Sequence, residues 1–208
     1  MSYNFHNSSV INDPQNWYHF TPGFTQNELD VIYKGIQSLG EQKATTVGGV
    51  VEARSSRVRW IPQNDQWQWL YRKLMDMAIE ANNVLWNFDL ISVDEEIQYT
   101  EYLASENGHY GWHQDFGPDN MCLRKVSLTV QLSDPSEYEG GDLEISKGGL
   151  SEDSGYKMHR GKGTVVIFPS YMMHRVMGGW FTLQIKLYEK VIIYSTPSIN
   201  WRFTPIFN

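Results

Sequence analysis

A single cysteine, Cys122, occurs in 208 residues, which excludes an internal disulfide and suits a reducing compartment. Basic residues are also scarce. Lys and Arg number 17 against 24 Asp and Glu, a formal charge of −7, and such a chain cannot neutralise the many phosphates that a general nucleic-acid binder engages. No apolar run approaches the roughly 20 residues that span a bilayer. The start, Met1-Ser2-Tyr3-Asn4-Phe5-His6, has neither the basic nor the apolar segment of a secretory signal. Together these absences lead to the expectation of a cytoplasmic protein with no membrane and no nucleic-acid partner. Neither a linker nor an internal repeat interrupts the chain, so one domain over residues 1–208 is expected.

Aromatic residues, by contrast, are abundant: eight Trp and twelve Tyr within a 41% hydrophobic composition indicate a packed core or an aromatic-lined cleft. Thr25-Gln26-Asn27-Glu28 reads as a capping box. Leu29, Ile32, Tyr33, Ile36 and Leu39 follow at helical spacing, with Gly40 as the expected stop. Arg57-Val58-Arg59-Trp60-Ile61 reads as a strand ended by Pro62. A second helix is expected with its cap at Asn64 or Asp65 and a buried stripe of Trp67, Leu70, Tyr71, Leu74, Ala78 and Ala81. Helical support thus covers about 24–82. From residue 88 the period changes to two. Ile97–Tyr102, the stretch through His113, Lys125–Leu132, Gly141–Ile145, the continuous apolar run Gly163–Pro169, and Phe181–Tyr194 read as strands, with a polar loop over about 147–162. Residues 1–20 suggest an edge strand or an arm. Two helices before many short strands indicate a mainly β fold with flanking helices: a β-sandwich or jelly roll with its core over about 88–194.

The stretch with the clearest chemistry is Tyr110-Gly111-Trp112-His113-Gln114-Asp115. On a strand, a period of two places His113 and Asp115 on one face. One imidazole and one carboxylate are two members of the two-His, one-carboxylate facial triad that leaves positions open on non-haem Fe(II). The third ligand must come from elsewhere. Of the other histidines, His174 lies just beyond Phe168-Pro169-Ser170, where a rigid strand could hold it opposite the pair. His6 and His19 fall in the irregular N-terminal part, His109 across a Gly-rich turn, and His159 in the polar loop.

In order along the chain, Gly108–Asp115, Arg124–Ser133, Tyr138-Glu139-Gly140-Gly141-Asp142-Leu143-Glu144, Gly163–Ser170 and His174-Arg175-Val176 resemble the 2-oxoglutarate- and Fe(II)-dependent oxygenases, in particular the prolyl 4-hydroxylase-like branch of bacteria and phages. The resemblance covers about residues 96–176. It implies a double-stranded β-helix of the jelly-roll, cupin-like type, with His113, Asp115 and His174 as catalytic residues and iron ligands. It also implies 2-oxoglutarate as co-substrate, converted to succinate and CO2 while a substrate carbon is hydroxylated, and ascorbate as an accessory reductant. The substrate that it implies is a peptidyl proline, so a peptide or protein partner joins the small-molecule co-substrate.

The same resemblance breaks after His174. The family places Arg or Lys about ten residues beyond this histidine to pair with the far carboxylate of 2-oxoglutarate; here the residue is Gln184. Lys186 is the expected substitute, with Arg175 and Arg202 as rivals, and Tyr102 or Tyr99 is expected to add a hydroxyl. Because residues 177–208 depart from the family's usual ending, two other readings stay open. One is a non-enzymatic jelly-roll interaction module that has lost 2-oxoglutarate; the other is an oxo-acid-independent, cupin-type metalloenzyme.

Overall fold

In the computed structural model, residues 16–44, 53–151 and 153–178 are described, together with the backbone of 188–194. The chain runs through β1 (Tyr18–Phe20), α1 (Gln26–Ile36), β2 (Gln42–Lys43), β3 (Arg54–Ser55), β4 (Arg57–Ile61), α2 (Gln68–Leu85), β5 (Ile97–Glu101) and β6 (His109–His113). It continues through β7 (Arg124–Val130), β8 (Leu143–Ser146), β9 (Gly155–Lys157), β10 (Val165–Pro169), β11 (His174–Val176) and β12 (Tyr188–Tyr194).

Both helices begin by local rules. Thr25 Oγ accepts the Glu28 amide, and the Glu28 carboxylate accepts the Thr25 amide at 2.8 Å, closing the predicted capping box. The helix stops at Ile36 rather than running to Gly40. Ser38 and Leu39 amides instead donate back three residues, to Gly35 and Ile36, and this tighter turn ends the α-helical ladder. The second helix starts at Gln68, later than the expected cap. Asn64 still acts, but on the preceding turn, where its backbone and side-chain oxygens accept the Trp67 amide. Leu70, Leu74, Ala78 and Ala81 form the buried stripe, with Trp67 buried just ahead of it.

A seven-stranded antiparallel sheet has the order β1-β10-β7-β12-β5-β4-β2, and a five-stranded sheet the order β3-β6-β11-β8-β9. The alternation on β7 explains how they stack. Val126, Leu128 and Val130, followed by Leu132, pack with α1 and α2 in one core, while Ser127 and Thr129 turn to the other face. The strand β10 is apolar throughout because both its faces are buried: Val165 and Ile167 join the helical core, and Val166 and Phe168 join a second core with Leu143, Ile145 and Val176 of the smaller sheet. Two facing sheets with helices on the outer side of the larger one make a double-stranded β-helix.

Two further segments differ from the expectation. The polar loop after residue 146 is not strand-free, since β9 pairs with β8; its few residues carry no readable alternation. Residues 18–20 do form the edge strand anticipated, along β10. Gly140 and Gly141, at φ of 69° and 55°, turn the chain into β8 through a conformation that a Cβ would strain.

Candidate active site

The strands β6 and β11 are neighbours, and their register sets His174 directly opposite His113. From there, three residues of β6 oppose two of β11, since Val176 pairs with Tyr110. This bulge breaks the simple period of two. Tyr110 therefore stacks on the His113 ring, with centroids 3.4 Å apart, although it is three residues away. The strand ends at His113, so Asp115 does not owe its position to strand geometry as expected. It is held instead by tertiary hydrogen bonds. The amides of Asp115 and Phe116 both donate to the Ser170 carbonyl, at 2.9 and 3.0 Å, from the end of β10. Arg124 donates to the Asp115 carbonyl at 3.0 Å and pairs with Glu95.

Three donor atoms converge at this point. Asp115 Oδ1 lies 3.8 Å from His113 Nε2 and 3.7 Å from His174 Nε2, too long for hydrogen bonds but suited to three ligands around a shared ion. Among the described residues this is the group of His, Cys, Asp or Glu side chains able to hold a metal. The tautomers fit as well. His113 Nδ1 contacts the Gly111 carbonyl at 2.8 Å, and His174 Nδ1 contacts the Met172 carbonyl at 2.9 Å. A carbonyl only accepts, so each Nδ1 carries the proton and each Nε2 keeps its lone pair for a metal. Asp115, 2% exposed, accepts from Ser127 Oγ at 2.7 Å through its other oxygen, and Ser170 Oγ lies 2.9 Å beyond. The donor set of two imidazoles and a carboxylate fits Fe(II).

Ser127 orients the carboxylate through Oδ2, the oxygen that does not face the two histidines. Ser127→Ala is expected to weaken Mn(II) binding about 10- to 100-fold and, because it removes a hydrogen-bond donor from a buried carboxylate, to cost the metal-free protein about 1–3 kcal/mol. Titration followed by electron paramagnetic resonance would check this, and unaltered affinity would remove the serine from the site.

The triad opens on a narrow cavity lined by His113, His174, Tyr102, Tyr110, Thr100 and Arg54, among others. Tyr102, anticipated from the sequence, is there; burial pushes its pKa up to about 12, so it is a neutral hydroxyl at physiological pH. Tyr99 is not there, because alternation along β5 turns it into the helical core. Arg175 is also excluded. Its neighbours on β11, His174 and Val176, belong to the cavity, whereas its own Nε and Nη2 both lie 2.8 Å from Glu144 Oε2, and its guanidinium covers Trp112 at 4.5 Å. Gln184, Lys186 and Arg202 lie outside the described residues. Sequence reasoning missed Arg54, which sits on the two-residue strand β3 opposite Tyr110. Nothing in Ala53-Arg54-Ser55-Ser56 distinguishes it from the surface arginines that follow.

Residues 97–179 match the family model described as the 2OG-Fe(II) oxygenase superfamily, a segment that contains all three triad residues. Over this segment the chain is similar to that superfamily. Similar proteins agree. A PKHD-type hydroxylase from Nitrosomonas europaea is 28% identical over 160 residues, covering 73% of this chain and 67% of that protein. Another, from Crocosphaera subtropica, is 41% identical over 71 residues, covering 33% and 30%; such shorter matches span about a third of the relatives' length. Among solved structures, a Trichoplax adhaerens prolyl hydroxylase bound to a hypoxia inducible factor peptide fragment superposes with a TM-score of 0.71 at 15% identity, covering 89% of this chain and 86% of that one. A Pseudomonas putida prolyl-4-hydroxylase gives 0.63 at 18%, covering 86% and 92%. At these identities the structures show a shared fold alone, the double-stranded β-helix. No helix among the chain's described residues is long and apolar enough to cross a membrane.

Proposed function

We propose that this chain is an Fe(II)- and 2-oxoglutarate-dependent dioxygenase that hydroxylates a carbon centre, and that the carbon belongs to a peptidyl proline. The observation that carries the reading is the convergence of His113 Nε2, His174 Nε2 and Asp115 Oδ1 within the segment that matches the superfamily's model. With Fe(II) bound, the site would couple oxidative decarboxylation of 2-oxoglutarate, to succinate and CO2, to hydroxylation of substrate, with ascorbate keeping the metal reduced.

The chain's own residues do the positioning. Backbone carbonyls of Gly111 and Met172 lock both imidazoles with Nε2 toward the metal position. Ser127 fixes one carboxylate oxygen and leaves the other for the metal. The Tyr110 ring on one side and the edge of Phe168, 4.8 Å from His174, hold the ring planes. Leu143 and Val176 complete an apolar lining that limits water, which favours productive coupling over side reactions. Tyr102 lines the cavity, and in this reading its hydroxyl donates to the co-substrate. Two exposed aromatics, Phe116 and Tyr171, flank the Asp115–Ser170 hydrogen bonds and offer a platform for an apolar, peptide-borne ring. The prolyl assignment is supported by similarity to hydroxylases named for that reaction.

Anaerobic titration of the Fe(II)-loaded protein with 2-oxoglutarate tests the reading. A weak visible charge-transfer band should grow to saturation and be absent from His174→Ala. Iron binding without the band would favour an oxo-acid-independent metalloenzyme, and no iron binding would favour a non-enzymatic module. Peptide hydroxylation measured by mass, a gain of one oxygen on proline, tests the substrate.

A further inference from the structure

Three arginines fall close together on β3 and β4, and two of them find carboxylates. Arg57 pairs with Glu41 and Glu106, and Arg59 with Glu41 and Glu101. Arg54 does not. It is 8% exposed, and among the described residues it makes no ion pair with a carboxylate. Its Nε donates to Ser56 Oγ at 2.7 Å and its Nη2 to Gln98 Oε1 at 2.8 Å, and its guanidinium lies 4.7 Å from the Tyr110 ring centroid. All these partners are neutral. A buried guanidinium without a counter-charge is costly, and its planar fork of donors suits a carboxylate.

The cation faces the cavity that His113, His174 and Tyr102 also line. Its cross-strand partner Tyr110 stacks on His113, so the guanidinium lies at most about 8 Å from that imidazole, a gap that a five-carbon diacid spans. The charges also match. A divalent ion, the Asp115 carboxylate and Arg54 leave two positive charges, and 2-oxoglutarate carries two negative ones. We propose, on the basis of the oxygenase reading above, that Arg54 binds the far carboxylate of 2-oxoglutarate. It thereby supplies from β3 the cation that Gln184 does not supply at the family's usual position. Thr100 and Tyr102, beside Arg54 in the cavity, share the contact.

The test uses the Mn(II)-loaded protein without oxygen, with calorimetric titration of 2-oxoglutarate and of 2-oxopentanoate, which lacks only the far carboxylate. The wild-type protein should prefer 2-oxoglutarate by roughly 10- to 150-fold, the range of a charged hydrogen-bonded contact. In Arg54→Met the two acids should bind equally, with 2-oxopentanoate and Mn(II) affinities unchanged, and Arg54→Lys should restore part of the preference. If the methionine variant does not fold, Arg54→Gln, which keeps hydrogen bonding without charge, takes its place against Arg54→Lys. A preference that survives in the neutral variant overturns the proposal and leaves Arg54 to a carboxylate on the primary substrate or to the fold. A wild-type protein that binds both acids equally overturns it too. Mn(II) binding with affinity for neither acid would instead defeat the 2-oxoglutarate reading itself.

Discussion

Asp115→Asn is expected to lower the affinity for Mn(II) or Fe(II) by at least about 100-fold while leaving the metal-free fold intact. Loss of a group that merely orients a ligand already costs 10- to 100-fold, and Asp115 supplies the only negative charge among the three converging ligands. The amide keeps the shape and can still accept from Ser127 Oγ, which now holds the carboxylate at 2.7 Å. Its backbone hydrogen bonds to Ser170 and Arg124 are untouched. Burying a neutral amide is also less costly than burying a carboxylate, so the metal-free protein should unfold at the same midpoint or slightly higher. Linkage makes the difference visible. An ion at 100 times its dissociation constant adds about 2.7 kcal/mol to stability, and after a 100-fold loss of affinity the same concentration adds about 0.4 kcal/mol. Thermal unfolding with and without Mn(II) reads this directly. A variant that melts with the full metal-dependent shift would remove Asp115 from the ligand set.

Phe168→Ala should cost about 3–5 kcal/mol of stability, the usual range for truncating a fully buried phenylalanine, and should weaken metal binding as well. Phe168 is fully buried in the core between the two sheets, and its ring meets His174 edge-on at 4.8 Å. Removing it leaves a cavity beside His174, which the Nδ1–H bond to the Met172 carbonyl and the contact with the His113 ring also restrain. For a chain of this size the destabilisation corresponds to roughly 6–20 °C in melting temperature. Phe168→Leu, which refills most of the volume, should recover much of the stability but less of the metal affinity, because the flat edge contact is not restored. Chemical denaturation of the metal-free protein and Mn(II) titration separate the two effects. Equal metal affinity in both variants and wild type would show that Phe168 serves packing alone.

The triad was legible because two of its members are two residues apart in a single stretch and the third follows a conspicuous apolar strand. Local chemistry also carried the capping box at Thr25, the strand Arg57–Ile61 and the alternation from Val126 to Leu132, since each depends on neighbours in the chain. The ends of the helices were less legible. Whether a helix stops at Ile36 or at Gly40 turns on three-residue hydrogen bonds that differ little in energy from the α-helical ones they replace. The short strand β9 carries too few residues for a pattern.

At the site, the sequence determined which side chains can bind a metal: the histidines and the aspartate have no other role as economical as this one. Tertiary structure alone decided how they meet. A bulge in β6 brought Tyr110 under His113, and the Ser170 carbonyl, from a strand 55 residues later in the chain, fixed Asp115 after its own strand had ended. It also separated the arginines. By sequence Arg175 is a rival anchor for 2-oxoglutarate, while Arg54 stands out in no way from Arg57 and Arg59. In the fold, Arg57, Arg59 and Arg175 lie against carboxylates, while Arg54 is buried on the cavity that His113 and His174 also line, among neutral groups. A charge's role depends on what the rest of the chain places within a few ångströms of it, and that distance is set by strand order and register, which no local pattern encodes.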